Sequence, residues 1–139
     1  MEIIFCLSNL FVPHTLSIIE SNNNFILIYV DNSSLKKFFD KLNLKNVEVF
    51  ERKPLVQVNN ARDYFNLLSY RNYLTNFLIK KNPKNLYFFH NTFGSIENYI
   101  IKKLSRQTQV NYFPVFGNIT FSKIYSFKSI IGILKNYLI

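Results

Sequence analysis

The chain has 139 residues, of which 48% are hydrophobic and 17% aromatic, the aromatics being 15 Phe and 9 Tyr without a Trp. That length and apolar content predict one domain with a real core and exclude a disordered chain, which would hold far fewer aromatics. The formal charge of +9 points to an anionic partner such as nucleic acid, a phosphorylated substrate or anionic lipid, although the abundant Lys, Asn, Ile, Phe and Tyr all have A/T-rich codons.

"EIIFCL" (2–7) is a short apolar run ended by Ser8-Asn9 and reads as a buried strand. It lacks the basic start and long apolar stretch of a signal peptide. Cys6, the single cysteine, cannot form an internal disulfide, which favours a reducing compartment and excludes a cysteine-based zinc site. In "LFVPHTLSIIES" (10–21), Pro13 suits a first helical turn, so a helix is expected from near Val12. "FILIYV" (25–30) is a second buried strand closed by "DNSS". Ser33 or Ser34 is expected to cap a helix in "LKKFFDKLN", with Leu35, Phe38, Phe39 and Leu42 on one face. "VEVF" (47–50) alternates as a strand does, and 51–60 is irregular.

"ARDYFNLLSYRNYLTNFLIKK" (61–81) is the longest helical segment. Tyr64, Leu67, Leu68, Leu74, Phe77 and Leu78 form its apolar face, which Arg71 interrupts, and Pro83 stops it. "LYFFH" (86–90) is a strand, "SIENYIIKKLSR" (95–106) a helix and "QVNYFPVF" (109–116) a strand. In 122–139, Ile124, Phe127, Ile131, Leu134 and Leu138 recur at helical spacing. That stripe suits docking on the domain's own sheet, and also an anionic membrane surface (through 123–139) or a partner domain. No stretch approaches the ~20 apolar residues of a membrane span, so a cytoplasmic protein is expected.

Strand and helix alternate throughout. The expected fold class is α/β: a Rossmann-like three-layer domain with a mostly parallel sheet over 1–118, followed by an amphipathic helix over 119–139. Ligands of such sheets bind outside the carboxyl ends of the strands, which singles out the loops "SNLFVPH" (8–14), "HNTFGS" (90–95) and "PVFGN" (114–118).

The first loop has no glycine and no P-loop pattern occurs, so a conventional dinucleotide or nucleoside-triphosphate site is excluded. In the second, Gly94 permits a tight turn, Ser95 can cap the following helix and Glu97 complements its dipole. Those roles are structural and leave His90 and Asn91 unexplained. Such Asn, His and Glu side chains grip hydroxyl-rich ligands. His14 and His90 are the only histidines; without a third ligand they predict no metal site. No GxSxG elbow or closely spaced carboxylate pair is present. Basic and aromatic residues interleave in "SLKKFF", "LIKKNPKNLYFF" and "IIKKLSRQ". This mixing can serve single-stranded nucleic acid, but each Lys pair lies on a helix or its end, as on an ordinary solvated face.

"IIFCLSNLFVPHTLSIIES" with "FILIYVDN", and later "NLYFFHNTFGSIENYIIKKLSRQTQVNYFPVFGN", resemble bacterial sialyltransferases and polysialyltransferases of lipooligosaccharide or capsule. The resemblance spans nearly the whole chain and implies the amino-terminal, acceptor-side domain of a GT-B glycosyltransferase, whose second domain binds the CMP-sugar. It implies Ser8, Asn9, His14, His90, Asn91, Gly94, Ser95, Glu97 and Gly117 as candidates for contact with a glycan acceptor, and no further cofactor. Those enzymes carry an acidic motif after the strand matching "QVNYF", suited to a general base. Here the position reads Pro114-Val115-Phe116-Gly117, so no catalytic residue is assigned, and the "HP" motif of the second domain is absent. A truncated or split glycosyltransferase, inactive alone and peripheral at the inner membrane face, is the leading expectation. The alternative is a small basic binding or adaptor domain for an anionic polymer or nucleic acid, with nucleic acid ranking behind a glycan as partner.

Overall fold

The computed structural model describes residues 1–55, 57–89 and 95–113. Among these, β1 (Glu2–Cys6), β2 (Ile26–Val30), β3 (Val47–Glu51), β4 (Asn85–Phe89) and β5 (Gln109–Phe113) form one sheet in the order β3-β2-β1-β4-β5. Every neighbouring pair is parallel. The sheet is therefore wholly parallel across the described residues, and the fold is a Rossmann-like three-layer α/β domain.

Alternate residues of the central strands feed two cores. Ile3, Phe5, Leu27, Tyr29, Leu86 and Phe88 pack under α3 (Ala61–Lys80) and α4 (Ser95–Leu104), meeting Leu74, Leu78, Ile96, Ile100 and Leu104. Ile4, Cys6, Ile28 and Val30 pack on the other face against Phe11, Leu35 and Phe39, beside α1 (Val12–Glu20) and α2 (Ser33–Lys41). Burial of both faces is why β2, and β1 after Glu2, are unbroken apolar runs instead of alternating ones. The chain steps from β1 to β2 to β3 using helices on one face, then crosses to β4 and β5 using helices on the other. Keeping one crossover hand while reversing direction requires that change of face. The reversal lies between β1 and β4.

Local details depart from the sequence expectations at four points. Asn32, not Ser33 or Ser34, caps α2: its Oδ1 accepts from the Leu35 N–H at 2.9 Å, and both serines lie inside the helix. Only Leu35 and Phe39 of the expected α2 face are buried, while Phe38 and Leu42 stand 40% and 41% exposed. Arg71 does not break the buried face of α3 but belongs to it, 9% exposed with its guanidinium 3.8 Å from the centre of the Tyr99 ring. Just past the α3 C-cap Lys81, Asn82 takes a positive φ of 48°, so an asparagine in the left-handed region stops the helix ahead of Pro83. No helix among the described residues is long and apolar enough to cross a membrane. Residues 114–139, including the expected amphipathic helix, lie outside the described residues.

Candidate functional site

The carboxyl ends of the strands gather on one edge, where the β1–β4 reversal lies beside the loop after β1, the usual place for a ligand in such sheets. Ser8 follows β1 directly. Its Oγ accepts from the Leu10 N–H at 3.3 Å and its carbonyl from the Phe11 N–H at 3.0 Å, starting a single 3-10 turn, Asn9–Phe11. Asn9 and His14 are exposed on this turn and on the first turn of α1. The His14 ring stacks on Phe89 with centroids 5.7 Å apart, so a residue early in α1 stands over the last residue of β4. Phe11 stacks on the same ring at 5.4 Å and Phe113 at 5.7 Å. These contacts fix the loop after β1 to the ends of β4 and β5. Below it, Cys6 donates its thiol proton to the Ser8 carbonyl at 3.7 Å, and burial pushes that thiol up from its ordinary pKa. It is an inert core residue and not a nucleophile.

Glu97 occupies the first turn of α4, as expected, yet its side chain is only 2% exposed. Its Oε1 accepts from the Tyr29 hydroxyl at 3.2 Å and lies 3.2 Å from Arg52 Nε. The Nε–H is not aligned on that oxygen, and both Nε and Nη1 of Arg52 are buried without a hydrogen bond. The contact is thus held by charge. Arg52 Nη2 also lies 3.9 Å from Asp31 Oδ2. Its backbone N–H donates to the Val30 carbonyl at 2.8 Å, extending the β2–β3 pairing past the strand end. Burial, reinforced by the Glu97 charge, pushes the Tyr29 hydroxyl far above the ordinary tyrosine range, so Tyr29 stays a neutral donor. Glu97 therefore does more than complement a dipole: it joins α4 to the ends of β2 and β3.

His90, Asn91, Gly94 and Gly117 lie outside the described residues; α4 begins at Ser95. Of the rest, Ser8, Asn9 and His14 share the β1 loop and α1 start, and Glu97 belongs to the Arg52–Tyr29 group. Sequence reading noted Asp31 as an acid at a strand end without giving it a partner, and missed Arg52 and Tyr29. Asp31 and Arg52 do carry one signal: each is the first residue past a strand's carboxyl end. Among the described residues no three His, Cys, Asp or Glu side chains come together in a way that could hold a metal ion.

Beside this group, residues 53–55 and the first turns of α3 flank an open cavity of about 260 Å³ lined by Lys53, Pro54, Leu55, Asp63, Asn66, Leu67 and Tyr70. Asn60 caps α3 through the Asp63 N–H at 2.9 Å, and the Asn59 N–H donates to Asp63 Oδ2 at 3.2 Å. The Tyr70 hydroxyl accepts from the Lys53 N–H at 2.7 Å. No family model, curated protein or solved structure matches this chain.

Proposed function

We propose that this chain is the acceptor-side domain of a sialyltransferase-like glycosyltransferase of surface polysaccharide synthesis, acting in the cytoplasm at the inner membrane face and inactive by itself. The observation that carries the reading is the stacking of His14 on Phe89 at the β1–β4 reversal. It sets an exposed imidazole, with Ser8 and Asn9 in the preceding turn, at the place where a doubly wound sheet takes its ligands. Imidazole and amide groups offer hydrogen bonds to the hydroxyls of a sugar. The catalytic part of the reading is narrower. Glu97, the buried carboxylate at this edge, is committed to Arg52 and Tyr29, so it is a positioning residue and not a base for an acceptor hydroxyl. No base is assigned among the described residues, and the reading puts a base and the nucleotide-sugar pocket in a second domain.

The test is binding of the chain to an array of lipooligosaccharide-type and capsular glycans, followed by transfer assays with CMP-sialic acid. The expected result is glycan binding weakened by His14→Ala and no transfer by the chain alone. Turnover by the chain alone would overturn the inactivity. Absence of glycan binding, with nucleic-acid binding whose log affinity falls linearly against log salt, would replace the reading with the basic adaptor domain.

A further inference from the structure

From the walls of the cavity between residues 53–55 and α3, we infer a second binding site that takes one neutral pyranose ring. The inference rests on the acceptor-side reading for the class of ligand and adds a subsite distinct from the His14 edge. Its walls are of two kinds. Pro54, Leu55, Leu67 and the Tyr70 ring are apolar, whereas Asp63 and Asn66 bring a carboxylate and an amide from successive positions on one helix face. A pyranose has the same division, with C–H faces that pack on aromatic and aliphatic surface and hydroxyls around its rim. Asp63 accepts from hydroxyls, and Asn66 both donates and accepts.

Charge selects among sugars. Lys53 and Asp63 line the same cavity and offset each other, so a carboxylated or phosphorylated ring gains nothing over a neutral one. Size selects as well: about 260 Å³ is below the range of drug-sized pockets and suits a single ring. A nucleobase would call for aromatic plates, and the cavity offers one ring, Tyr70, whose Lys53 ammonium stands 5.9 Å from the centroid.

The walls are also held in place before any ligand arrives. The Tyr70 hydroxyl is tied to the Lys53 N–H at 2.7 Å, and Asp63 is tied to the Asn59 N–H at 3.2 Å. Lys53 follows directly on Arg52, which is anchored through Val30 and Glu97. Such fixing lowers the ordering cost of binding.

The experiment titrates the isotope-labelled chain with methyl β-galactoside, methyl β-glucoside, N-acetylneuraminic acid and CMP while following backbone amides by NMR. A neutral glycoside is expected to shift amides of Lys53, Leu55 and 63–70, with weaker effects from the acid and from CMP. Asn66→Ala, at an exposed helix position that tolerates alanine, is expected to weaken that binding about tenfold, the equivalent of a hydrogen bond or two, with an unchanged far-ultraviolet spectrum. Tyr70→Ala is expected to abolish it. Shifts confined to 8–14 would overturn this subsite while leaving the acceptor-side reading intact. No shift with any sugar would overturn both, and shifts indifferent to Asn66→Ala would overturn the subsite alone. Stronger binding of CMP at these residues would overturn the choice of ligand.

Discussion

Glu97 Oε1 lies 3.2 Å from Arg52 Nε, joining the first turn of α4 to the residue that follows β3. With side chains 2% and 13% exposed, the two charges are largely out of water. Removing one partner of such a pair leaves the other desolvated and unpaired, at a cost near 3–5 kcal/mol in full burial. Arg52 retains Asp31 at 3.9 Å and some solvent. Glu97→Gln is therefore expected to cost about 2–3 kcal/mol, below the full-burial figure. Arg52→Met should cost at least as much, because Glu97 is the more buried charge. Combining the two should recover part of the loss, giving a coupling of about 1–3 kcal/mol in a double-mutant cycle from urea unfolding. Strict additivity would show the pair to be energetically idle.

Tyr29 supplies a second, pH-dependent consequence. Its hydroxyl is held neutral by burial first and by the Glu97 charge second, which raises its pKa well above that of an unfolded tyrosine, about 10. The group's contribution is fully present below pH about 10 and is lost as the pH rises toward the folded-state value, because only the unfolded chain releases the proton in that window. Each such group steepens the fall by about 1.4 kcal/mol per pH unit. Tyr70 and Tyr87 are also raised, chiefly by burial, and act in the same direction. Tyr29→Phe is expected to lower stability at pH 7 by about 1 kcal/mol through the lost hydrogen bond, yet to flatten the alkaline decline by one proton. Urea midpoints between pH 8 and 11 measure both effects; an unchanged slope would show that Tyr29 ionises in the folded state.

The strands and their alternation with helices were legible because each buried strand is a continuous apolar run stopped by polar residues, a signal carried within five or six positions. Strand order was not, since nothing local says that β4 pairs with β1. The same limit hid the Arg52–Glu97–Tyr29 group. Glu97 has a sufficient local reason to stand in a first helical turn, and its burial arises only when α4 packs across the sheet. Arg52 sits among Glu51, Lys53 and Pro54, where composition suggests an exposed connection. At the amino edge, Glu2 is 1% exposed and accepts from Asn24 Nδ2 at 3.0 Å, a partner 22 residues away that no local pattern announces. Of the candidate residues, His14 stands over Phe89, the last residue of β4, and the grouping of Glu97 was not foreseen.

The cap of α2 separates two readings of "DNSS". Both serines are plausible caps by composition, whereas the extended backbone of Asn32 and its 2.9 Å bond to the Leu35 N–H identify the residue in use. Asn32→Ala is expected to cost about 1 kcal/mol. Ser33→Ala and Ser34→Ala, at exposed positions inside the helix, should each stay within about 0.5 kcal/mol of the parent. Thermal unfolding of the three variants decides it, and a large loss at Ser33 would return the cap to that residue.

Arg71 turns an apparent flaw in the α3 stripe into a contact between α3 and α4. Its guanidinium stands 3.8 Å from the centre of the Tyr99 ring, and its buried Nε has no hydrogen bond. A delocalised, weakly hydrated cation over an aromatic face is favourable, by about 2 kcal/mol when desolvated. The compact, strongly hydrated ammonium of lysine stacks poorly in the same place. Arg71→Lys is accordingly expected to cost about 1–2 kcal/mol despite keeping the charge. Arg71→Met keeps much of the packing and leaves no buried cation, so it should be no worse than the lysine variant. Tyr99→Phe, which preserves a ring face, should be near neutral, and Tyr99→Leu should make Arg71→Met less costly than it is in the parent. If lysine proved harmless and methionine severe, charge alone would be the requirement at this position and the stacking would contribute nothing.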